Sequence, residues 1–414
     1  MTGVGASVRD QRRLTVALFA VAFGTQSPSP ILLFYTQDLG LSATVLTAFF
    51  TVYALGLVPA LLLGGPYSDR HGRKPVVVPV VAMSVLAQLA LLAAAVVGEP
   101  ALYVGRVLQG LTGGAVFTVG TVWMREMAGP AKGASAAMRA SAAMAVGFAL
   151  GPLLSGTLVQ WAPWPKVLGF VVPIALLLLA FGIVRTLPET VTRPRPGRLQ
   201  IGIPRGAGAG FGWYLLPCGL LVYTYAVLGL TLFPLAIVRS GFGAAIFLTG
   251  VCALIVQGSA ALATGPARRL GPETSGWLAA LMAAGGAGFG YLAVQPGGWP
   301  WVLPASLLCG VGEGLALTAG VTVADLLAPA DRRGGLISVF YLVVYFGFTV
   351  PSIVSVTAGP AALATGVPIL VLGGCALVLT VVLVGPGRAV LRRHTGSIVR
   401  SGDVTTALGE LPPI

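Results

Sequence analysis

A carboxylate inside a long apolar run is the first residue of this chain that could do chemistry. Glu313 lies within the apolar run 299–327, between Gly312 and Gly314. A helix beginning near Trp301 and rising 1.5 Å per residue carries it about 18 Å into a hydrocarbon core roughly 30 Å thick, close to the midplane. An ionised acid there costs at least about 3 kcal/mol, so it should be neutral at rest or face a cation or a watery cavity. Either arrangement lets it exchange a proton, and the flanking glycines would leave room for water or substrate. The alternative is a protonated acid bonded to a neighbouring helix for structure alone. A second interruption is Thr25-Gln26-Ser27-Pro28-Ser29-Pro30, where polar groups and two prolines suit either a broken helix beside a binding site or a simple kink. Tyr223, Tyr225, Tyr341, Tyr345 and Phe348 could wall a cavity for an amphipathic organic compound, with Gln26 and Gln257 as polar contacts. Each ring taken singly also suits lipid-facing or interhelical packing.

These residues must be positioned by membrane helices. Of 414 residues 56% are hydrophobic and 9% charged, against roughly 25% charged in a soluble domain. Apolar runs fall near 14–36, 43–66, 76–97, 101–125, 133–160, 165–187, 213–238, 243–264, 275–294, 299–327, 334–358 and 361–384. Runs this long match helices rather than the alternating strands of a membrane barrel, so an all-α bundle of twelve spans is expected. Arg12 and Arg13 precede an Ala20-Val21-Ala22 that superficially resembles a cleavage signal, and the first span is read as retained because the apolar pattern resumes after Pro30. The four cysteines lie singly inside apolar runs, and His71 and His394 lie in a loop and the tail. No metal site, disulfide framework or cofactor is expected.

The formal charge of +13 would suggest nucleic acid in a soluble protein, but here it reports topology. An internal N-terminus puts Arg9, Arg12, Arg13, the 67–75 loop, Arg125, Lys132, Arg268, Arg269, Arg332, Arg333 and the tail in the cytoplasm. Only Lys166 and Arg239 then face out. Both termini are thus expected inside, and few lysines beside 58 glycines suggest a GC-rich bacterium and hence its plasma membrane. The expected organisation is a six-helix half at 1–187, a cytoplasmic linker at 188–212, a second half at 213–387 and a tail at 388–414. At an offset of 199 residues Gly72 matches Gly271, Gly113 matches Gly312, Val122 matches Val321, Glu126 matches Asp325, and Pro130-Ala131 matches Pro329-Ala330. Two similar halves let a midplane cavity open to either side by rocking.

The loop Gly64-Gly65-Pro66-Tyr67-Ser68-Asp69-Arg70-His71-Gly72-Arg73-Lys74-Pro75 combines a tight turn at Gly72 with a carboxylate, Asp69, that could meet the positive N-terminus of a neighbouring helix such as the one starting near Gly334. Glu126 is an acid that Arg73 could pair with; all three could equally be headgroup-level topology charges. The loop resembles the signature of the major facilitator superfamily, carried by Gly65, Asp69, Arg70, Gly72 and Arg73. That resemblance implies a cytoplasmic gate of Asp69, Arg73 and Glu126 that locks an outward-open state. Gly265-Pro266-Ala267-Arg268-Arg269-Leu270-Gly271 keeps Arg269 and Gly271 but places Arg268 where Asp69 would be, so the gate should be asymmetric.

Arg106-Val107-Leu108-Gln109-Gly110-Leu111-Thr112-Gly113 resembles a family motif whose arginine is thought to influence proton movement. Arg106 sits only about four residues, roughly 6 Å, inside its run, so snorkelling to the interface is the alternative. Its depth differs from that of Glu313 by about 12 Å, so a direct pair is not assured. Gly147, Gly151, Pro152, Ser155 and Gly156 resemble the motif of drug and proton antiporters, with Ser155 replacing the more usual glycine. The resemblance implies a proton-coupled exporter of small, largely apolar organic compounds, with protons and the lipid bilayer as its other partners. A monomer suffices for alternating access. A nutrient importer should show more polar cavity residues, and a polytopic enzyme or sensor would need a catalytic constellation that the sequence lacks.

Overall fold

The computed structural model of the chain describes residues 7–38, 40–191, 201–233, 237, 242–329 and 332–393. Within these the helices run α1 Val8–Gln26, α2 Pro28–Asp38, α3 Ala43–His71, α4 Lys74–Val97, α5 Glu99–Ala128, α6 Gly133–Trp161 and α7 Pro165–Val184. After the linker come α8 Gly208–Leu230, opening through a π-helical turn at Phe211–Leu215, then α9 at 245–270 and α10 at 272–293. The last are α11 Val302–Leu327, α12 Arg333–Phe346, α13 Thr349–Thr365 and α14 Val367–Val382.

Among the described residues eleven stretches are long and apolar enough to cross a membrane, and the longest, Ala245–Ala293, has 49 residues. It is two helices, because Gly271 at φ 72° and ψ 165° is not helical. With that division the stretches agree with twelve crossings. The α1–α2 pair, and α12 with α13 as far as the non-helical Gly359, are each one crossing interrupted midway, at Ser27 and at Gly347-Phe348.

Local signals set the boundaries. Ser7 and Asp10 form a reciprocal capping box at the start of α1, satisfying donors that no helix can satisfy itself. The 199-residue repeat is visible in the backbone: Gly72 and Gly271 have φ of 101° and 72°, and Gly98 and Gly297 have φ of 85° and 73°. Only glycine reaches this region without strain, so paired helix ends fall at paired glycines.

The interior divides into three apolar clusters. One lies in the first half, around Leu14, Trp123, Met144 and Val184, and one in the second, around Cys218, Ala283, Val323 and Leu372. The third joins the halves, packing Phe49, Phe50, Tyr53 and Leu57 against Val227, Ile246, Ala253 and Phe348. Val96, Leu262 and Val381 are fully to largely exposed, as lipid-facing side chains of a membrane bundle must be.

Two boundaries differ from expectation. The linker is shorter than 188–212, because residues 208–212 already belong to α8. Gly and aromatic residues there had masked the helix start. The helical stretch after Val367 continues to Arg393, so residues 388–393 belong to the last crossing rather than to a tail. Residues 192–200 of the linker, 394–414 of the tail, Arg239 and Ala330 lie outside the described residues.

Candidate functional site

At one end of the first half Asp69, Arg73 and Glu126 come together. Arg73 Nη1 lies 2.6 Å from Asp69 Oδ1, Arg73 Nη2 donates to Glu126 Oε1 at 2.7 Å and Nε to Oε2 at 3.1 Å. Ser68 Oγ takes a further bond from Nη1. Burial alone would lower the pKa of this guanidinium, but hydrogen bonds and charge from Glu126, then Asp69, raise it above its ordinary value. The fork-shaped cation thus fastens the C-terminal turn of α3 to that of α5.

A residue not anticipated from the sequence completes the cluster. Glu189, just past α7, accepts from the backbone N–H groups of Arg73 and Lys74 at 3.0 and 2.8 Å, so its carboxylate caps α4. Thr190 Oγ1 donates to Glu126 Oε2 at 2.5 Å. Asp69 itself pairs with Arg73, and a further helix N-terminus that receives an acid is that of α4. All these groups belong to the first half or its outgoing linker. Gly65 contributes its carbonyl to Ser68 Oγ. Arg70 is exposed in the last turn of α3, outside the cluster, where a cation suits a helix C-terminus.

The α1–α2 break explains a second polar cluster. Pro28 has no N–H to return to the carbonyl of Gly24, which instead accepts from Ser27 Oγ at 3.1 Å and from the Gln88 and Gln109 amides at 2.5 and 3.1 Å. Arg106 donates to Thr25 O at 3.2 Å, to Phe49 O at 3.2 Å and to Gln109 Oε1 at 2.8 Å. It is 1% exposed, so it does not snorkel. Its guanidinium lies 3.9 Å from the Phe49 ring centroid, 4.7 Å from that of Tyr53 and 5.1 Å from that of Phe50, where ring faces favour a cation. Gln26 ends α1 half-buried.

From those rings an aromatic series crosses to the other half. Phe50 and Tyr53 reach Phe348 at centroid distances of 6.3 and 6.0 Å. Phe348 stacks on Tyr223 at 4.3 Å, Tyr223 on Tyr345 at 5.4 Å and Tyr345 on Tyr341 at 6.1 Å. Tyr223 is in electrostatic range of Glu313, whose Oε2 is buried with no hydrogen-bond partner. The structure therefore brings Tyr223, Tyr341, Tyr345 and Phe348 into one stack, with Glu313 buried on α11. Tyr225 is a correction: its hydroxyl donates to Leu372 O at 2.6 Å, facing α14 in the core. Gln257 is half-buried on α9. Gly312 and Gly314 do not leave space for substrate. A Cβ on Gly312 would stand 3.0 Å from Ala279 O, and one on Gly314 would strike the Ala260 backbone, so both serve close helix packing.

The glycine motif of α6 looks two ways. A Cβ at Gly147 would stand 2.6 Å from Phe19 O, and one at Gly151 would meet Phe23 O, so these positions seat α6 on α1. Gly156 faces the other half, where an added Cβ would meet Ile246 O at 2.9 Å. Pro152 presents its carbonyl to Gly250 of α9, at 2.6 Å from where a Cβ would be. Ser155 is buried with its hydroxyl unpartnered.

Two pseudo-symmetric helical halves, one holding the buried Arg106 and the other the buried Glu313, have the architecture of a membrane transporter. The family model of the Major Facilitator Superfamily matches residues 14–352, and the chain belongs to that family. Multidrug resistance protein MdtM of Salmonella typhimurium is 28% identical over 175 residues, 42% of each chain. The methylenomycin A resistance protein of Bacillus subtilis is 31% identical over 211 residues, 48% of this chain and 44% of that one. Each match spans less than half the length of the curated relative. Among solved structures, the peptide transporter POT superposes with a TM-score of 0.76 at 16% identity, covering 93% of this chain and 95% of that one, which shows the fold. Family and structural neighbours are transporters, not enzymes.

Proposed function

We propose that the chain is a proton-coupled exporter of small, largely apolar organic compounds, acting by alternating access across a bacterial plasma membrane. In this reading the termini, the linker and the Arg73 cluster face the cytoplasm. Glu313 carries the proposal: a buried carboxylate with an unpartnered oxygen, beside rings contributed by α8, α12 and the α12–α13 break. An acid so placed costs too much to stay ionised in the dark of the bilayer, and gaining or losing its proton changes what the neighbouring rings can hold. Arg106 serves as a fixed positive charge on the first-half side of the aromatic series. The multidrug and antibiotic resistance relatives support an apolar organic cargo and outward direction.

The two halves are expected to rock as units, because each has its own core and the third cluster joins them at one end. With that end closed, the conformation suits access from the cytoplasm. Reconstitution into liposomes with an internal pH dye tests the reading with a panel of antibiotics, dyes, sugars and organic acids. Apolar organic compounds should drive proton movement, and Glu313→Gln should abolish it while leaving expression intact. Undiminished substrate-driven proton flux in that variant removes Glu313 as the carrier, and proton movement driven by sugars or organic acids alone favours a nutrient importer.

A further inference from the structure

We infer that Gln160 is a latch that holds the two halves closed at the end away from Arg73, by capping a helix of the opposite half. The start of α9 has N–H groups that no helical carbonyl can satisfy, and its N-cap residue, Ala244, supplies no side-chain acceptor. Gln160, in the last turn of α6, supplies one from across the boundary. Its Oε1 accepts from the backbone of Ile246 at 3.2 Å and of Phe247 at 3.4 Å. Its Nε2 donates to Gly243 O at 2.9 Å. Both ends of one amide are therefore spent on the other half, and Trp161 packs its ring on Phe247 beside it at 4.9 Å.

The repeat shows why this contact is special. Thr51 and Gly250 are 199 residues apart, as are Leu153 and Ser352, and the halves touch at both resulting crossings. At one, Thr51 Oγ1 bonds Ser352 Oγ at 2.7 Å; at the other, a Cβ on Gly250 would stand 3.0 Å from the Leu153 Cα. The counterpart of Gln160 is Gly359, which has no side chain and breaks its helix at φ 75°. The capping latch is thus one-sided. Opening this end requires Gln160 to leave α9, after which water can reach both sets of groups; the closed state gains stability from the contact and the open state does not.

The inference rests on alternation of the two halves but not on proton coupling or cargo, so its test uses neither. Ala253, fully buried in the joining cluster, becomes a reporter as Ala253→Cys in a background lacking the four native cysteines. Its rate of maleimide labelling is measured on the purified full chain without substrate. Gln160→Leu, of similar size and unable to cap, should raise that rate at least about tenfold, the lower end of the factor expected from losing two or three neutral hydrogen bonds. Gln160→Glu keeps the acceptor at the helix N-terminus and should stay within about threefold of the parent. Circular dichroism and gel filtration establish that each variant is folded. A parental labelling rate in folded Gln160→Leu, or equal rates in the Leu and Glu variants, overturns the latch.

Discussion

Two corners of the molecule occupy equivalent places in the repeat and are fastened with opposite charge. In the first half Glu189 caps α4 at Arg73 and Lys74. At the 199-residue offset Lys74 corresponds to Glu273 and Glu189 to Arg388, so the acid and base exchange places. There Arg388 donates to the Glu273 carbonyl at 3.4 Å and Arg392 pairs with its carboxylate at 3.3 Å. Pro272 stands where Arg73 would be, and its carbonyl accepts from the Tyr214 hydroxyl. The repeat keeps the turn, through Gly72 and Gly271, while the fastening changes from a buried guanidinium to one exposed ion pair and a half-buried arginine bonded to a backbone carbonyl. Shared backbone geometry therefore does not imply shared electrostatics, and the first corner should be the one on which conformational balance depends.

The sharpest test of that difference is Arg73→Ala. The Arg73 side chain is only 6% exposed, and bonds to charged groups contribute on the order of 1.5–3 kcal/mol each. Turnover in a liposome assay should fall at least about tenfold, equivalent to about 1.4 kcal/mol, while substrate affinity changes little. Parental turnover would show that the two corners are interchangeable. Next come the paired glycines. Both Gly72→Ala and Gly271→Ala force an L-residue into a strained region at a cost of about 1–3 kcal/mol. Only the Gly72 variant also drives a Cβ to 2.6 Å from Glu189 Oε2. Thermal unfolding followed by intrinsic fluorescence should show a larger drop for Gly72→Ala than for Gly271→Ala; equal drops would mean that Glu189 yields freely.

Much of this was legible in the sequence, and the failures have physical causes. Apolar runs located the crossings because lipid leaves backbone groups no partner outside a helix, and the loop after α3 announced the Asp69–Arg73–Glu126 cluster. Glu189 went unread because an acid in a segment rich in Arg and Pro looks like one more interfacial charge until α4 is seen to start beside it. Gln88 and Gln109 were invisible for a related reason: their acceptor, the Gly24 carbonyl, exists only because Pro28 withholds a donor. Tyr225 was a failure of periodicity. Two residues along a helix differ by about 200°, so Tyr223 and Tyr225 point to opposite sides, whereas Tyr341, Tyr345 and Phe348 follow a single face.

Smaller effects refine the comparison. Glu189→Gln removes the charge from the cap but keeps an acceptor, so a loss of about 0.5–1 kcal/mol is expected. It should shrink as salt screens the helix end, and a loss independent of ionic strength would assign the contact to hydrogen bonding alone. Arg392→Ala should matter least, because the pair it forms with Glu273 is exposed at 69% and 37% and such pairs contribute about 0–1 kcal/mol. A turnover change as large as that of Arg73→Ala would reverse the ranking of the corners.

The proline break of α1 also bears on how the molecule is made. As the chain emerges from the ribosome, the first crossing enters the bilayer with the Gly24 carbonyl holding only the local Ser27 hydroxyl in place of its usual donor, and the amides that complete its bonding arrive 64 and 85 residues later. Until α5 is synthesised that carbonyl is only partly satisfied, in a medium that tolerates few such groups. It can settle only when its partners join it, so the first half should acquire its final packing late and as a unit, and chains halted before Gln109 should present an unanchored first segment to the quality-control machinery.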